Sequence, residues 1–320
     1  MLVVERTYTL NDERVQGRWE AVPSCQRRSC GPSTVQARTA ANLNPTRHEG
    51  QGCSKTAQGI IPLNWVYFCN LTSDFCNRTT MPQLYVGTSG WAYPTWKPAF
   101  YPEKLAQKKF LNFYASNLNA VEVNYTFRQL VKETTIQNWI AETPAHFRFT
   151  IKAHQVLTHI KRLKGADEFL QRFLGTLESL ERAQRLGPIL FQLPPNFKVD
   201  QAVLSEFLKI LPRGVRAAFE FRNASWYDEP TWQTLRERNI ALCIAESEER
   251  DTPDVVTADF AYYRYRKPSY TAEGRKAMVG RIQQHLAEGR DVFAYFKHEE
   301  TPEGVLYAVD VLDGCARSSG

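Results

Sequence analysis

Residues 188–245 read PILFQLPPNFKVDQAVLSEFLKILPRGVRAAFEFRNASWYDEPTWQTLRERNIALCIA. Three short apolar runs, at 188–193, 217–221 and 241–245, alternate here with two stretches of helical period, at 201–210 and 229–238. Apolar runs of this length suit strands covered on both faces, and the longer amphipathic stretches suit helices that cross between parallel strands. The second helix starts after Asp228-Glu229-Pro230. The acidic side chains can accept from free amides there, and proline fits the first helical turn.

The same texture extends outward from this stretch. Further strands are predicted at 84–88, 120–123, 147–151, 260–264 and 292–296, and further helices at 104–117, 167–185 and 274–288. In the first of these helices Leu105, Phe110, Phe113 and Tyr114 form an apolar stripe. Gly187, Gly214 and Gly289 stand where helices close and a left-handed cap is wanted. Eight strands with intervening helices predict an α/β fold, a single TIM-type (β/α)8 barrel over residues 81–315. An open doubly wound sheet fits less well, since no GxGxxG or P-loop follows any strand.

Residues 1–80 differ from the rest. They show no sustained period of 2 or 3.6, and their basic residues are eight Arg and one Lys. Five of the seven cysteines (Cys25, Cys30, Cys53, Cys69 and Cys76) fall there, without the paired CxxC of a zinc site. This part is expected to be a disordered extension, or sequence upstream of a true start at Met81. The sequons at Asn70 and Asn77 are expected to be chance matches.

Across its 320 residues the chain is 43% hydrophobic and 23% charged, with a net charge of +6. Residues 1–80 carry nine basic against six acidic residues, and residues 81–320 carry thirty-one against twenty-eight. So even a balance does not point to nucleic acid, which calls for a clustered basic face. No apolar run approaches the roughly 18 residues of a membrane helix. The start MLVVERTYTL lacks a secretory layout, so a soluble, cytoplasmic protein without a membrane partner is expected.

Function in such barrels sits at the carboxyl ends of the strands. The second strand ends in Val121-Glu122-Val123-Asn124, whose period of two puts Glu122 and Asn124 on one face. The fifth ends in Phe219-Glu220-Phe221-Arg222, and the third, fourth and seventh end near Lys152, Gln192 and Arg264. The eighth ends in Lys297-His298. Charges at the ends of apolar strands are expensive unless paired, so they imply a partner network or a ligand. Trp91, on the loop after the first strand with Tyr93 and Trp96, and Trp226, after the fifth with Tyr227, offer flat rings to a planar polar ligand.

These strings also carry a resemblance. Gly87-Thr88-Ser89-Gly90-Trp91 with Phe100-Tyr101-Pro102, Glu122-Val123-Asn124-Tyr125-Thr126-Phe127, Phe149-Thr150-Ile151-Lys152, Phe191-Gln192-Leu193-Pro194-Pro195, Glu220-Phe221-Arg222 with Ser225-Trp226, and Tyr295-Phe296 resemble the YecE-like family (domain of unknown function 72). The resemblance covers residues 84–312 and implies a TIM-type barrel with its cleft at these strand ends. It implies no reaction. The chain departs from the family pattern in Arg264-Tyr265-Arg266-Lys267, where an Arg-x-His-Gly is common, and in Lys297-His298, where an Asn pair is common.

Three functions compete. The first is an enzyme or ligand-binding barrel for a small anionic or hydroxylated, sugar- or phosphate-like molecule. Glu122 and Glu220 would serve there as acid/base groups, and Trp91, Asn124, Lys152, Gln192, Arg222, Trp226, Arg264 and Lys297 would bind the substrate. The second is a metal-dependent isomerase or phosphodiesterase using Glu122, Glu220, Glu246 and His298. The third is a non-catalytic nucleic-acid-associated barrel whose exposed rings stack on bases. On the first reading no cofactor and no bound metal is expected, and Glu220 and Arg222 form one charged unit.

Overall fold

The computed structural model describes residues 81–248, 251–297 and 301–317. The expected extension at 1–80, with its cysteines and sequons, and His298 lie outside the described residues.

Eight strands form one parallel sheet: β1 (Leu84–Thr88), β2 (Ala120–Val123), β3 (Arg148–Lys152), β4 (Leu186–Gln192), β5 (Ala217–Glu220), β6 (Ala241–Glu246), β7 (Phe260–Tyr265) and β8 (Asp291–Phe296). Their order is β1-β8-β7-β6-β5-β4-β3-β2, so every neighbour but one is consecutive in the chain and β8 returns to β1. Helices α1 (Phe110–Ala115), α2 (Glu133–Glu142), α3 (Asp167–Gly175), α4 (Glu178–Arg182), α5 (Gln201–Ile210), α6 (Glu229–Arg236), α7 (Ala272–Ala287) and α8 (Glu303–Arg317) make the final return and every crossover except that from β6 to β7, which has no helix among the described residues. This is the (β/α)8 barrel.

Closure between β1 and β2 is made largely by side chains. A backbone bridge pairs Ser89 with Glu122. Below it, Asn119 accepts from Val86 N (2.8 Å) and donates to Leu84 O (2.7 Å), standing in for a rung of the ladder. The Tyr114 hydroxyl does the same, accepting from Thr88 N (2.8 Å) and donating to Ala120 O (3.0 Å). The strands approach so closely that a Cβ on Gly87 would stand 1.8 Å from the Ala120 carbonyl oxygen, so only glycine fits.

Two apolar clusters result from the alternation of the strands. One lies between sheet and helices; the other fills the barrel with Tyr85, Leu190, Phe260, Tyr262, Phe293 and Tyr295. Inside, the Tyr295 and Thr150 hydroxyls meet at 2.7 Å, which satisfies both buried groups. On β2, β4, β5 and β7 the next inward position towards the carboxyl end is polar (Glu122, Gln192, Glu220 and Arg264), whereas β6 carries Ala245 there, and those four side chains make the floor of the mouth.

Some local expectations are corrected. Gly187 and Gly214 close no helix with a left-handed turn: Gly187 lies inside β4, packed against Thr150, and the left-handed residue there is Gln184 (φ 57°). Gly289 does take the left-handed conformation, at φ 81°. The helix expected at 167–185 is two, α3 and α4, interrupted after Gly175. Of the helix expected at 104–117 only α1 is α-helical, preceded by a 3-10 turn at Gln107–Lys109.

Candidate functional site

The floor of the mouth is built on Arg264. Phe260, Tyr262 and Arg264 share the inner face of β7, which carries the guanidinium into the barrel beneath its opening. Its Nη1 donates to Glu220 Oε2 on β5 (2.5 Å) and its Nη2 to Glu122 Oε1 on β2 (2.7 Å). Glu122 also accepts from Ser89 Oγ (2.9 Å) and the Tyr262 hydroxyl (2.7 Å), and Glu220 accepts from Gln192 Nε2 (2.8 Å). Glu122 is wholly buried and Glu220 is 4% exposed. Arg264 Nε has no hydrogen-bond partner among the described residues.

Burial alone would push both carboxyls up, yet both are held down. For Glu122 the charge of Arg264 and the bonds from Tyr262, Arg264 and Ser89 outweigh burial. For Glu220 the charges of Arg264 and Arg266, with the Gln192 and Arg264 bonds, bring the carboxyl to about 2. Burial opposes the charge of Arg264, but the two carboxylates hold its guanidinium firmly protonated.

Above this floor the mouth is cationic. A cavity of about 210 Å³ is lined by Glu220, Arg222, Glu248, Arg266 and Lys297, among others. Arg222, Arg266 and Lys152 are each partly buried, and none has a carboxylate within 4 Å among the described residues. Lys152 Nζ lies instead over the Phe127 ring, 4.5 Å from its centroid. Burial, then the charge of Arg264, pushes the Lys152 ammonium down to about 8, with Glu122 and Glu220 offsetting part of the effect. Arg266 is lowered by burial and by Arg264. His159, on a π-helical turn at Val156–Ile160, meets the same Phe127 ring edge-on at 4.8 Å, and its imidazole is lowered by burial and then by Lys152, Arg222 and Arg162.

The structure joins Glu122, Gln192, Glu220 and Arg264 by hydrogen bonds in one layer, with Lys152 close to both carboxylates and Arg222 and Lys297 at the cavity above. Glu220 and Arg222 do not form the expected unit. β5 ends at Glu220, so strand alternation no longer holds Arg222 beside it, and Arg264 takes the carboxylate instead. Trp91 and Asn124 line a different cavity, of about 260 Å³, with Tyr125 and Trp139. Asn124 Oδ1 is buried there without a partner among the described residues. Trp226 is wholly buried, stacked on Phe221 at 4.8 Å and donating to Phe197 O (2.8 Å), so it packs the loop and meets no cavity. Glu246 leaves the barrel face and bonds to Arg281 (3.1 Å), so Glu122, Glu220 and Glu246 do not converge as a cation site. Arg266, His159, Ser89 and Tyr262 are additions. Extending the period of two along β7 would have found Tyr262 and Arg266; the irregular turn holding His159 leaves no periodic signal.

No helix among the described residues is long and apolar enough to cross a membrane. The chain is 31% identical over 159 residues to the UPF0759 protein YunF of Bacillus subtilis, a match covering 48% of this chain and 55% of that protein. It is 28% identical over 170 residues to the UPF0759 protein YecE of Escherichia coli, covering 51% and 59%. The chain thus spans little more than half the length of these curated relatives. Among solved structures, a DUF72 family protein of Thermotoga maritima superposes with a TM-score of 0.65 at 26% identity, covering 72% of this chain and 98% of that one. One from Enterococcus faecalis superposes at 0.61 and 17% identity, covering 73% and 96%, and speaks for the fold alone. The model of the family described as "protein of unknown function DUF72" matches residues 85–317, the barrel from its first strand to its last helix, and the chain belongs to that family.

Proposed function

We propose that the mouth of the barrel binds a small molecule carrying one or two anionic groups, phosphate or carboxylate. The observation that supports this is the imbalance between floor and opening. Both floor carboxylates are engaged by Arg264, whereas Lys152, Arg222 and Arg266 stand above them with no ion pair among the described residues. Partly desolvated cations without a counter-ion favour an incoming anion, and two guanidinium groups offer it forked donors. The buried carboxylates limit the field, which suits one or two anionic groups and not a polyanion.

Within this reading the two glutamates divide their roles. Glu122, wholly buried in the floor, positions Arg264. Glu220 lines the cavity, but a carboxyl held near 2 stays ionised and serves to stabilise positive charge, not to donate a proton. The test is calorimetric titration of inorganic phosphate and sulfate into the full chain. Millimolar or tighter binding is expected, weakened about tenfold or more by Arg222→Ala or Arg266→Ala, since a charge-assisted hydrogen bond contributes about 1.5–3 kcal/mol. Absence of binding at millimolar anion, with both variants indistinguishable from the parent, would overturn it.

A further inference from the structure

We propose that Lys152 is a nucleophilic amine that forms an imine with a small carbonyl compound, whose anionic group Arg222 and Arg266 hold; this rests on the anion-binding reading above. A lysine kept only for structure in so apolar a barrel would be locked to a carboxylate. Lys152 is not: both nearby carboxylates are turned toward Arg264, and the ammonium rests on the Phe127 ring. It stands at the carboxyl end of β3, near Glu122, Glu220, Arg264 and Arg266, where function sits in such barrels. An amine on a rigid strand end, half-desolvated and without an ion pair among the described residues, suits attack on a carbonyl.

The groups facing it act in opposite directions. Arg264 and Arg266 from β7 disfavour the ammonium, as does burial, while Glu122 from β2 and Glu220 from β5 favour it. His159, on the turn that follows β3, stands edge-on to the Phe127 ring on which Lys152 rests. The balance leaves the amine free of its proton at mildly alkaline pH, where an ordinary lysine stays protonated. The neutral amine's lone pair attacks the carbonyl carbon, and as the C–N bond forms the carbonyl π pair moves onto oxygen, which takes one of the two nitrogen protons to give a carbinolamine. The nitrogen lone pair then forms the C=N bond while the C–O bond breaks and the hydroxyl leaves with the second nitrogen proton, so amine and carbonyl become imine and one water. His159, which shares the Phe127 ring with Lys152, can relay a proton from nitrogen to oxygen in each step.

The probe is pyridoxal 5′-phosphate, an aldehyde bearing a phosphate, with pyridoxal as its phosphate-free counterpart. Each is incubated with the full chain, reduced with borohydride, and located by peptide mass mapping. Lys152 is expected to be labelled first, with a rate that rises through a midpoint near pH 8. Inorganic phosphate should block labelling, and pyridoxal should label at least tenfold more slowly. Two exposed lysines, Lys164 and Lys209, report ordinary amine reactivity in the same sample. If Lys152 stays unlabelled while those two react and phosphate still binds by calorimetry, the imine proposal falls and the anion site stands. If Lys152 is labelled equally by both aldehydes and phosphate neither binds nor competes, the anionic substrate class falls and with it the anion-binding reading.

Discussion

Arg264 holds apart two carboxylates that would otherwise face each other inside a barrel of tyrosine and phenylalanine side chains. Replacing it with Met leaves both carboxylates buried without a counter-charge, and the expected destabilisation is about 3–5 kcal/mol by denaturant titration. Arg222→Gln, by contrast, removes a partly exposed group with no carboxylate partner among the described residues, and is expected to change stability by less than about 0.5 kcal/mol while weakening anion binding. The two substitutions therefore separate a structural guanidinium from a ligand-facing one. The floor also makes stability depend on acid. Glu122 and Glu220 bind protons less readily in the folded chain than in the unfolded one, so their contribution is complete above about 4.5 and declines as pH falls, that of Glu220 being lost toward about 2. A plot of Tm against pH should fall across that window, and Glu220→Gln should flatten it; an unchanged slope would show that Glu220 is not held by Arg264.

At the scale of elements, the seam between β1 and β2 is the place where side chains replace backbone pairing. Gly87→Ala forces a Cβ onto the Ala120 carbonyl, and the strands must separate. A loss of about 3 kcal/mol is expected, with faster amide exchange at Val86 and Thr88, whose N–H groups bond to Asn119 and Tyr114. Tyr114→Phe leaves Thr88 N and Ala120 O without their partner and should cost about 1–3 kcal/mol. If both variants unfold at the parent's denaturant midpoint, the seam is not closed in this way. The consequence reaches the site, because the same seam carries Ser89 to its bond with Glu122.

For the molecule as a whole, the barrel places polar side chains in a single inward layer at one end and apolar ones below it. Every strand and helix of that barrel lies between Leu84 and Arg317. A chain starting at Met81 is therefore expected to melt within about 5 °C of the full-length chain, which bounds the difference at roughly 1–2 kcal/mol for a domain of this size. A larger drop would mean that residues 1–80 contribute to the stability of the barrel.

What was legible in the sequence was local. All eight strands were placed within two residues, because burial on both faces leaves a compact apolar run wherever a strand occurs. The inward direction of Glu122 and Glu220 followed from a period of two, which needs no knowledge of the neighbouring strands. Helix α2, whose buried face is chiefly Ile136 and Trp139, and helix α8, buried through Val305, Ala308 and Val311, were not read, although the α8 residues recur at helical spacing. The tertiary structure alone decided the pairing. Arg264 meets Glu122 and Glu220 because closing the barrel brings β2, β5 and β7 around one axis at one height, and that stagger is a property of the closed sheet. It also decided that Trp226 is buried packing and that Trp91 and Asn124 line a separate cavity, since loop residues follow no period and their places are set by what the finished barrel leaves open.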